Sequence, residues 1–299
     1  MSATDVGALK YSVVLRTLHG FGEYLAADAN VWEHPHAVLE AVAAAGYDAV
    51  DLDAEPDRIP HERFEEVRGI ARSLGLRTPA LLAAWGRGHA GEARDLGSAD
   101  EAQRAYAVSY AKKCVELAAR VGRPVFEIAA VPGLSEEYMQ PATLLHEARA
   151  NFRRSVTELV AHAARHEVPV AIEPINRFEG YQGFMNSVAE AMELVDEIDS
   201  PWLGVMADCF HVNIEDRSVV DALTRAGGRL LHVHLADSTR YAPGTGHIDF
   251  LQVVRTLHSI GYQGYLALDC VPHLPDWRSS LSHSIAFMKQ MERAHALLP

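Results

Sequence analysis

Eight short apolar runs alternate along the chain with longer segments in which apolar residues recur at helical spacing. The runs have the length of buried strands, which we predict at 11–15, 49–52, 77–82, 124–128, 169–173, 203–208, 230–235 and 265–269. The predicted helices are 35–45, 63–74, 100–121, 144–166, 187–198, 219–226, 250–259 and 280–298. A strand followed by a helix eight times indicates a parallel sheet, and eight such units match a closed (β/α)8 barrel.

One domain accounts for the whole chain. Its 299 residues are 48% hydrophobic, and no proline-rich or low-complexity linker divides them. Barrels of this kind commonly use about 250 residues as a single unit. We therefore predict an α/β fold with one TIM-barrel domain over residues 1–299.

Side-chain parity indicates which residues point into this barrel. Residues two apart on a strand share a face, so each of the last four strands has one apolar face and one face that ends in a polar group. These polar groups are Glu173, Asp208, His234 and Asp269. They stand at C-terminal strand ends, where barrel enzymes keep their active sites. We expect the four side chains to meet at one mouth of the barrel.

Three carboxylates and one imidazole form a donor set that suits one divalent cation. Oxygen-rich ligation with a single histidine favours Mn²⁺, with Mg²⁺ or Co²⁺ as alternatives, over a structural zinc. Any one of these residues alone would be explained more simply as a polar group that caps a strand. Four of them with matching parity on successive strands favour a metal site.

Composition argues against several other classes of function. Asp and Glu outnumber Lys and Arg by 40 to 27, and the net charge of −13 disfavours a nucleic-acid partner. No apolar run reaches the roughly 18 residues of a membrane span, and the N-terminus does not have the pattern of a signal peptide. The three cysteines form no CxxC pair. We expect a cytoplasmic protein without a membrane or nucleic-acid partner.

Three segments carry a resemblance to a known family. Residues 173–179 read EPINRFE, residues 208–215 read DCFHVNIE, and residues 232–237 read HVHLAD. Arg240 stands six residues after His234, and PGTGHIDF follows at 243–250. The set resembles the xylose-isomerase-like superfamily of sugar isomerases and epimerases, with the most similar motifs in ketose 3-epimerases of the tagatose and psicose type. The match covers the last four strands well. The first 150 residues match only in the general alternation of strands and helices.

The resemblance implies roles for individual residues. The metal would be bound by Glu173, Asp208, His234 and Asp269. His211 and Arg240 would contact the substrate oxygen on which negative charge develops, and Glu179 would hydrogen-bond a hydroxyl at the substrate end. The partner would be a small carbohydrate, and the class implies a homo-oligomer, either a dimer or a tetramer.

Proton transfer beside a carbonyl is the chemistry expected of such a site. A metal that chelates the carbonyl and hydroxyl oxygens of a ketose, or of a related polyol-ketone, stabilises the ene-diolate formed when the neighbouring C–H proton leaves. Glu173 and Asp269 are the two carboxylates expected to remove and return protons. The family has glutamate where this chain has Asp269, which is one methylene shorter. The shorter side chain keeps its ligand role but weakens 3-epimerisation relative to a reaction with Glu173 as its single base.

Three other functions remain open at this point. A metal-dependent dehydratase acting on inosose or 3-dehydroshikimate would need the same enolate and one base. An apurinic endonuclease has a similar barrel, but that class needs further histidines at the second and third strand ends, which here read VDLD at 50–53 and ALL at 80–82. A barrel that only binds a ligand is the non-enzymatic interpretation.

Three neighbours of the expected ligands are interpreted as structural. His232 lies two residues before His234 and faces inward one layer lower, so we expect a hydrogen-bonded core histidine. Cys209 and Cys270 directly follow ligand positions. Parity therefore turns both away from the ligands, and we expect packed thiols.

Overall fold

The eight predicted strands pair side by side into a closed sheet. The computed structural model describes residues 8–15, 30–88, 91–133, 142–271 and 277–298. Its strands are β1 (Lys10–Val14), β2 (Ala49–Asp53), β3 (Ala80–Leu82), β4 (Gly86–Arg87), β5 (Ala93–Arg94), β6 (Val125–Ala129), β7 (Val170–Glu173), β8 (Leu203–Asp208), β9 (Leu230–Leu235) and β10 (Tyr265–Leu268). All except β4 and β5 form the barrel, in which every pair is parallel and β1 closes onto β10. The predicted single-domain TIM barrel is confirmed.

The helices surround the barrel, and those that were predicted begin and end close to their predicted bounds. They are α1 (Pro35–Ala45), α2 (His61–Ser73), α3 (Glu101–Arg120), α4 (Ala142–His166), α5 (Val188–Ile198), α6 (Cys209–Glu215), α7 (Val219–Ala226), α8 (Phe250–Ser259) and α9 (Trp277–Ala296). Local side chains fix several starts. Ser187 and Glu190, for example, form a capping box at the start of α5, which satisfies amide groups that no helix carbonyl can reach.

The interior of the barrel holds a small apolar cluster of its own, separate from the large core between sheet and helices. Its buried members are Val14, Leu82, Ala171, Met206 and Ala267. Three of them lie two residues before Glu173, Asp208 and Asp269, on the same strand faces. The alternation expected from the sequence is therefore present, with the acidic groups one layer above the apolar ones.

Three local features differ from the prediction. The third strand begins at Ala80, while Arg77 keeps only an isolated bridge to Ala49; Pro79, between them, has no amide hydrogen to donate. The hairpin of β4 and β5 was not expected, since two-residue strands are too short to show alternation. The short helix α6 was also missed. It begins directly after β8, where Asp208 Oδ1 accepts the Phe210 amide at 2.8 Å.

Among the described residues, no helix combines the length and the apolar character that crossing a bilayer requires. The longest is α4, and its charged and histidine residues interrupt every apolar stretch.

Candidate active site

Four neighbouring strands place the predicted ligands at one mouth of the barrel. Glu173 and Asp208 are the last residues of β7 and β8. His234 is the last but one of β9, and Asp269 follows β10. The sheet register sets Asp208 beside His234, and the Asp269 amide extends the ladder by donating to the Leu235 carbonyl at 3.1 Å. The structure thus brings together side chains that are far apart in the sequence.

The His234 ring lies at the centre of this group. Its Nδ1 atom is 3.4 Å from Glu173 Oε1 and 3.5 Å from Asp269 Oδ2. The same nitrogen is 4.0 Å from Asp208 Oδ2. Atoms that share one cation at about 2.1 Å lie roughly 3.0–3.5 Å apart. Ligand atoms of Asp208, His234 and Asp269 lie within 4.8 Å of one another, and Glu173 approaches the same His234 nitrogen.

The hydrogen bonding of His234 tests whether these residues fit a metal. Both ring nitrogens are buried and make no well-aligned hydrogen bond to any of the described residues. Burial alone would lower the pKa of His234, but the carboxylates of Asp269 and Glu173 raise it well above its usual value. The site thus favours positive charge at His234 Nδ1, as a proton or as a metal ion. With three carboxylates around it, the donor set fits a hard divalent cation.

Arg240 bridges two of the acidic groups. Its guanidinium donates to Asp208 Oδ2, and its Nη2 donates to Asp269 Oδ2 at 2.7 Å. Burial would lower the pKa of Arg240, but the Asp208 and Asp269 carboxylates raise it further above its usual value. The guanidinium also lies 4.9 Å from the centre of the Phe210 ring. Arg240 is therefore a fixed positive charge at the edge of the cluster.

His211 reaches the cluster from α6. Its side chain is buried, and its Nε2 atom is 3.8 Å from Asp208 Oδ2. Its other nitrogen, Nδ1, is 2.7 Å from the side-chain amide nitrogen of Asn176. Sequence reasoning gave Asn176 no role, although it stands in the segment that carries the resemblance.

Glu179 differs from the other predicted site residues in its exposure to solvent. It is exposed on the segment after β7, and its Oε1 accepts a hydrogen bond from Asn176 Nδ2 at 3.2 Å. Asn176 therefore joins Glu179 to His211, the two predicted substrate contacts on this side of the mouth.

One layer below the ligands, a second polar group is fully hydrogen-bonded. His232 Nε2 is 2.7 Å from Asp51 Oδ2, and Ser12 Oγ donates to Asp51 Oδ1 at 2.7 Å. All three side chains are buried. His232 is thus the hydrogen-bonded core histidine that parity predicted. The partner on β2 could not be identified from the sequence, because no local pattern links residues 181 positions apart.

The two cysteines beside the ligands are buried in the outer core, as predicted. Burial, together with the Asp269 and Asp208 carboxylates, raises the pKa of the Cys270 thiol to about 12. Burial and Asp208 likewise raise the pKa of Cys209. Both thiols stay protonated near neutral pH and are poor metal ligands in that form.

A family-wide sequence profile described as "Xylose isomerase-like TIM barrel" matches residues 39–291. The chain belongs to this family. The match runs from α1 to α9 and so includes all four strand ends of the ligand cluster.

Individual relatives are sugar epimerases. The chain is 29% identical to a D-psicose 3-epimerase from Enterocloster bolteae, over 83% of this chain and 81% of the relative. It is 27% identical to a 3-dehydro-D-guloside 4-epimerase from Escherichia coli, over 85% of this chain and 95% of the relative.

Solved structures share the barrel. A 3-keto-D-glucoside 4-epimerase from E. coli superposes with a TM-score of 0.78 at 23% identity, over 95% of this chain and all of that one. A D-allulose 3-epimerase from Methylomonas sp., solved with D-allulose, gives a TM-score of 0.77 at 22% identity, over 95% of this chain and 97% of that one. At this identity the structural likeness establishes the fold.

Proposed function

We propose that this chain is a divalent-metal-dependent epimerase or isomerase that acts beside the carbonyl of a small ketose or related ketosugar. The observation that carries the proposal is the cluster in which His234 lies within 4.0 Å of three carboxylates on neighbouring strands. The names of the relatives, which are 3- and 4-epimerases of ketoses and keto-glycosides, support the reaction type and the substrate class.

The metal would be held by Glu173, Asp208, His234 and Asp269. When bound there, a divalent ion would stabilise negative charge on adjacent substrate oxygens. Mn²⁺ suits this donor set of three carboxylates and one imidazole, and Mg²⁺ and Co²⁺ are the alternatives.

In this proposal Glu173 and Asp269 are the two carboxylates that exchange protons with a substrate carbon. They stand on separate strands and approach His234 Nδ1 to 3.4 and 3.5 Å. Glu173 has the longer side chain and removes the proton beside the carbonyl. Asp269, which carries a proton when the step begins, returns one from the other face and is left as a carboxylate, oriented by the Arg240 hydrogen bond at 2.7 Å.

Arg240 and His211 stabilise the oxygen on which charge develops. Both side chains are anchored before substrate binds, Arg240 by Asp208 and Asp269, and His211 by Asn176. Preorganised donors of this kind need no reorientation during the reaction, which is why they accelerate it. Glu179, exposed at the rim, accepts a hydrogen bond from a hydroxyl at the end of the sugar.

Solvent isotope exchange tests this proposal. The Mn²⁺-loaded protein is incubated in D₂O with a panel of ketoses and 3-keto-glycosides, and Glu173→Gln serves as the matched variant. We expect deuterium uptake at the carbon beside the carbonyl, formation of an epimer or isomer, and loss of both in Glu173→Gln. Absence of uptake across the panel contradicts the proposal, and a conjugated enone absorbance assigns a dehydratase instead.

Asp269→Glu tests the reach of the second carboxylate. The change adds one methylene and keeps a metal ligand, so it extends the carboxyl by about 1 Å. A displacement of this size at a catalytic group can change the rate on the order of 10²-fold. We expect the ratio of epimer to isomer to rise at unchanged metal content. A ratio that stays the same contradicts the role of residue 269 in returning the proton.

A further inference from the structure

Asn176 occupies a buried position between two of the residues assigned to the substrate. It lies three residues after Glu173 and is 1% exposed. Its Oδ1 accepts the Phe178 backbone amide at 3.0 Å. Because a backbone N–H can only donate, this contact fixes which end of the side-chain amide is oxygen and which is nitrogen.

The amide nitrogen therefore faces His211 and Glu179. Nδ2 is 2.7 Å from His211 Nδ1 and 3.2 Å from Glu179 Oε1, so its two hydrogens have two acceptors. The Asn176 backbone amide also faces His211 Nδ1, at 3.5 Å. Both groups that approach this ring nitrogen are donors.

A ring nitrogen that accepts two hydrogen bonds carries no proton. A neutral imidazole has one N–H, so the proton of His211 resides on Nε2. Nε2 is the nitrogen on the side of the ligand cluster, 3.8 Å from Asp208 Oδ2. The hydrogen-bonding pattern thus points an N–H group, rather than a lone pair, at the place where substrate oxygens would lie.

We propose that Asn176 is a positioning residue that holds His211 in its Nε2–H tautomer. His211 then acts as a hydrogen-bond donor to a substrate oxygen and not as a base, which leaves proton removal to the carboxylates. The tautomer follows from hydrogen bonding alone, whereas its consequence for turnover rests on the proposed function.

The tautomer is measured first, without substrate, by ¹⁵N NMR of protein labelled in its histidines. The chain has 16 histidines, so the His211 signals are assigned by their loss in His211→Gln. A nitrogen without a proton resonates far downfield of an N–H nitrogen. We expect Nδ1 of His211 to be unprotonated and Nε2 to be protonated. The reverse assignment in the native protein overturns the proposal, whatever the enzyme's substrate is.

Two isosteric variants on the same loop distinguish a specific effect on the His211 tautomer from a general destabilisation of the loop. Asn176→Asp replaces the amide donor by an acceptor oxygen and should put a proton on Nδ1. Asn186→Asp is the matched control, because the Asn186 amide donates to the backbone carbonyls of Ile175 and Tyr181 and not to a histidine. We expect the control to keep the native tautomer. An unprotonated Nδ1 in Asn176→Asp, or a control that shifts in the same way, overturns the proposal.

Kinetics provide the second measurement. Loss of a donor that stabilises developing charge lowers kcat and kcat/KM together. Asn176→Asp should therefore lower kcat on the order of 10²-fold, at unchanged KM and metal content. Native kcat in a variant whose tautomer has changed overturns the catalytic part and leaves the tautomer assignment intact. If Asn176→Asp does not fold, Asn176→Ala removes the donor without adding charge, and we then expect a mixture of tautomers.

Discussion

The barrel interior contains two polar layers that differ in how their groups are paired. In the lower layer, His232 and Ser12 each bond to Asp51 at 2.7 Å. In the upper layer, the His234 nitrogens make no well-aligned hydrogen bond to any described residue, although three carboxylates lie within 4.0 Å of Nδ1. The two histidines are only two residues apart on β9, and their rings meet edge to face at 5.4 Å.

We interpret this difference as one between a polar cluster that serves the fold and one that, in our proposal, binds an ion. Buried polar groups that satisfy one another stabilise a single arrangement and gain nothing from a ligand. Buried groups that crowd like charges around an unsatisfied nitrogen are costly by themselves, and a cation relieves that cost. Residue type alone does not distinguish the layers, since each contains aspartate and histidine.

The largest effect is expected from removing a ligand of the upper layer. Asp208→Ala and His234→Ala should each lower the bound metal and lower turnover by about 10³-fold or more, because a missing ligand removes the ion and the charge stabilisation together. Metal content is measured by elemental analysis and turnover by epimer formation.

His232→Gln is the matched control for His234→Ala. Its side chain can still reach Asp51, and it lies outside the proposed ligand set, so we expect metal content close to native. Full metal occupancy in both ligand variants would contradict the assignment, and loss of metal in His232→Gln would show that the layers are not separate in function.

An intermediate effect, on stability, is expected from the lower layer. Asp51→Asn keeps the shape of the side chain but cannot accept from Ser12 and His232 at once. We expect the free energy of unfolding to fall by about 1–3 kcal/mol, the cost of a buried polar group left unpaired. Urea unfolding measures this, and metal content should stay native. Unchanged stability would mean that Asp51 is dispensable to the fold.

The last four strands could be predicted because the alternation of inward and outward side chains is visible within the sequence of each strand. Glu173, Asp208 and Asp269 each stand at the end of a strand whose inward face is otherwise apolar, so a barrel alone brings them together. The resemblance named His211 and Arg240 as well, but neither the ion pairs of Arg240 nor the Asn176 contact follows from spacing. Such contacts depend on loop conformation, which no periodic pattern records.

The first half of the chain was less predictable for a related reason. Asp51 was recognised only as part of a strand end, because its partner His232 lies on a strand across the barrel. The hairpin of β4 and β5 depends on Gly86, whose φ of +81° favours glycine and where a Cβ would lie 2.8 Å from Val131 Cγ1. These are tertiary constraints without a local signature.

The smallest effect concerns Asp216, a partly buried carboxyl that accepts a hydrogen bond from the Val188 backbone amide at 3.1 Å. Burial raises the pKa of Asp216 from 3.8 to about 6, with backbone amides opposing and Glu190 and Glu215 adding to the rise. Between those pH values the folded protein binds more protons than the unfolded chain, so stability should fall as pH rises through this window. We expect a loss of about 1–2 kcal/mol after solvent screening.

Asp216→Asn should flatten that dependence, because the amide has no proton to lose. Urea unfolding at several pH values from 4 to 7 compares it with Asp221→Asn, a control at an exposed carboxylate on α7. Equal slopes in the native protein and Asp216→Asn would show that burial does not raise the pKa of this group.

The most direct test of the account is a crystal structure of the Mn²⁺-loaded protein with an anomalous-scattering map. We expect one strong peak in the upper layer, about 2.0–2.3 Å from atoms of Glu173, Asp208, His234 and Asp269. We expect no peak beside His232 and Asp51. An upper layer without a peak, or with these four side chains too far apart to touch a common ion, would contradict the central claim.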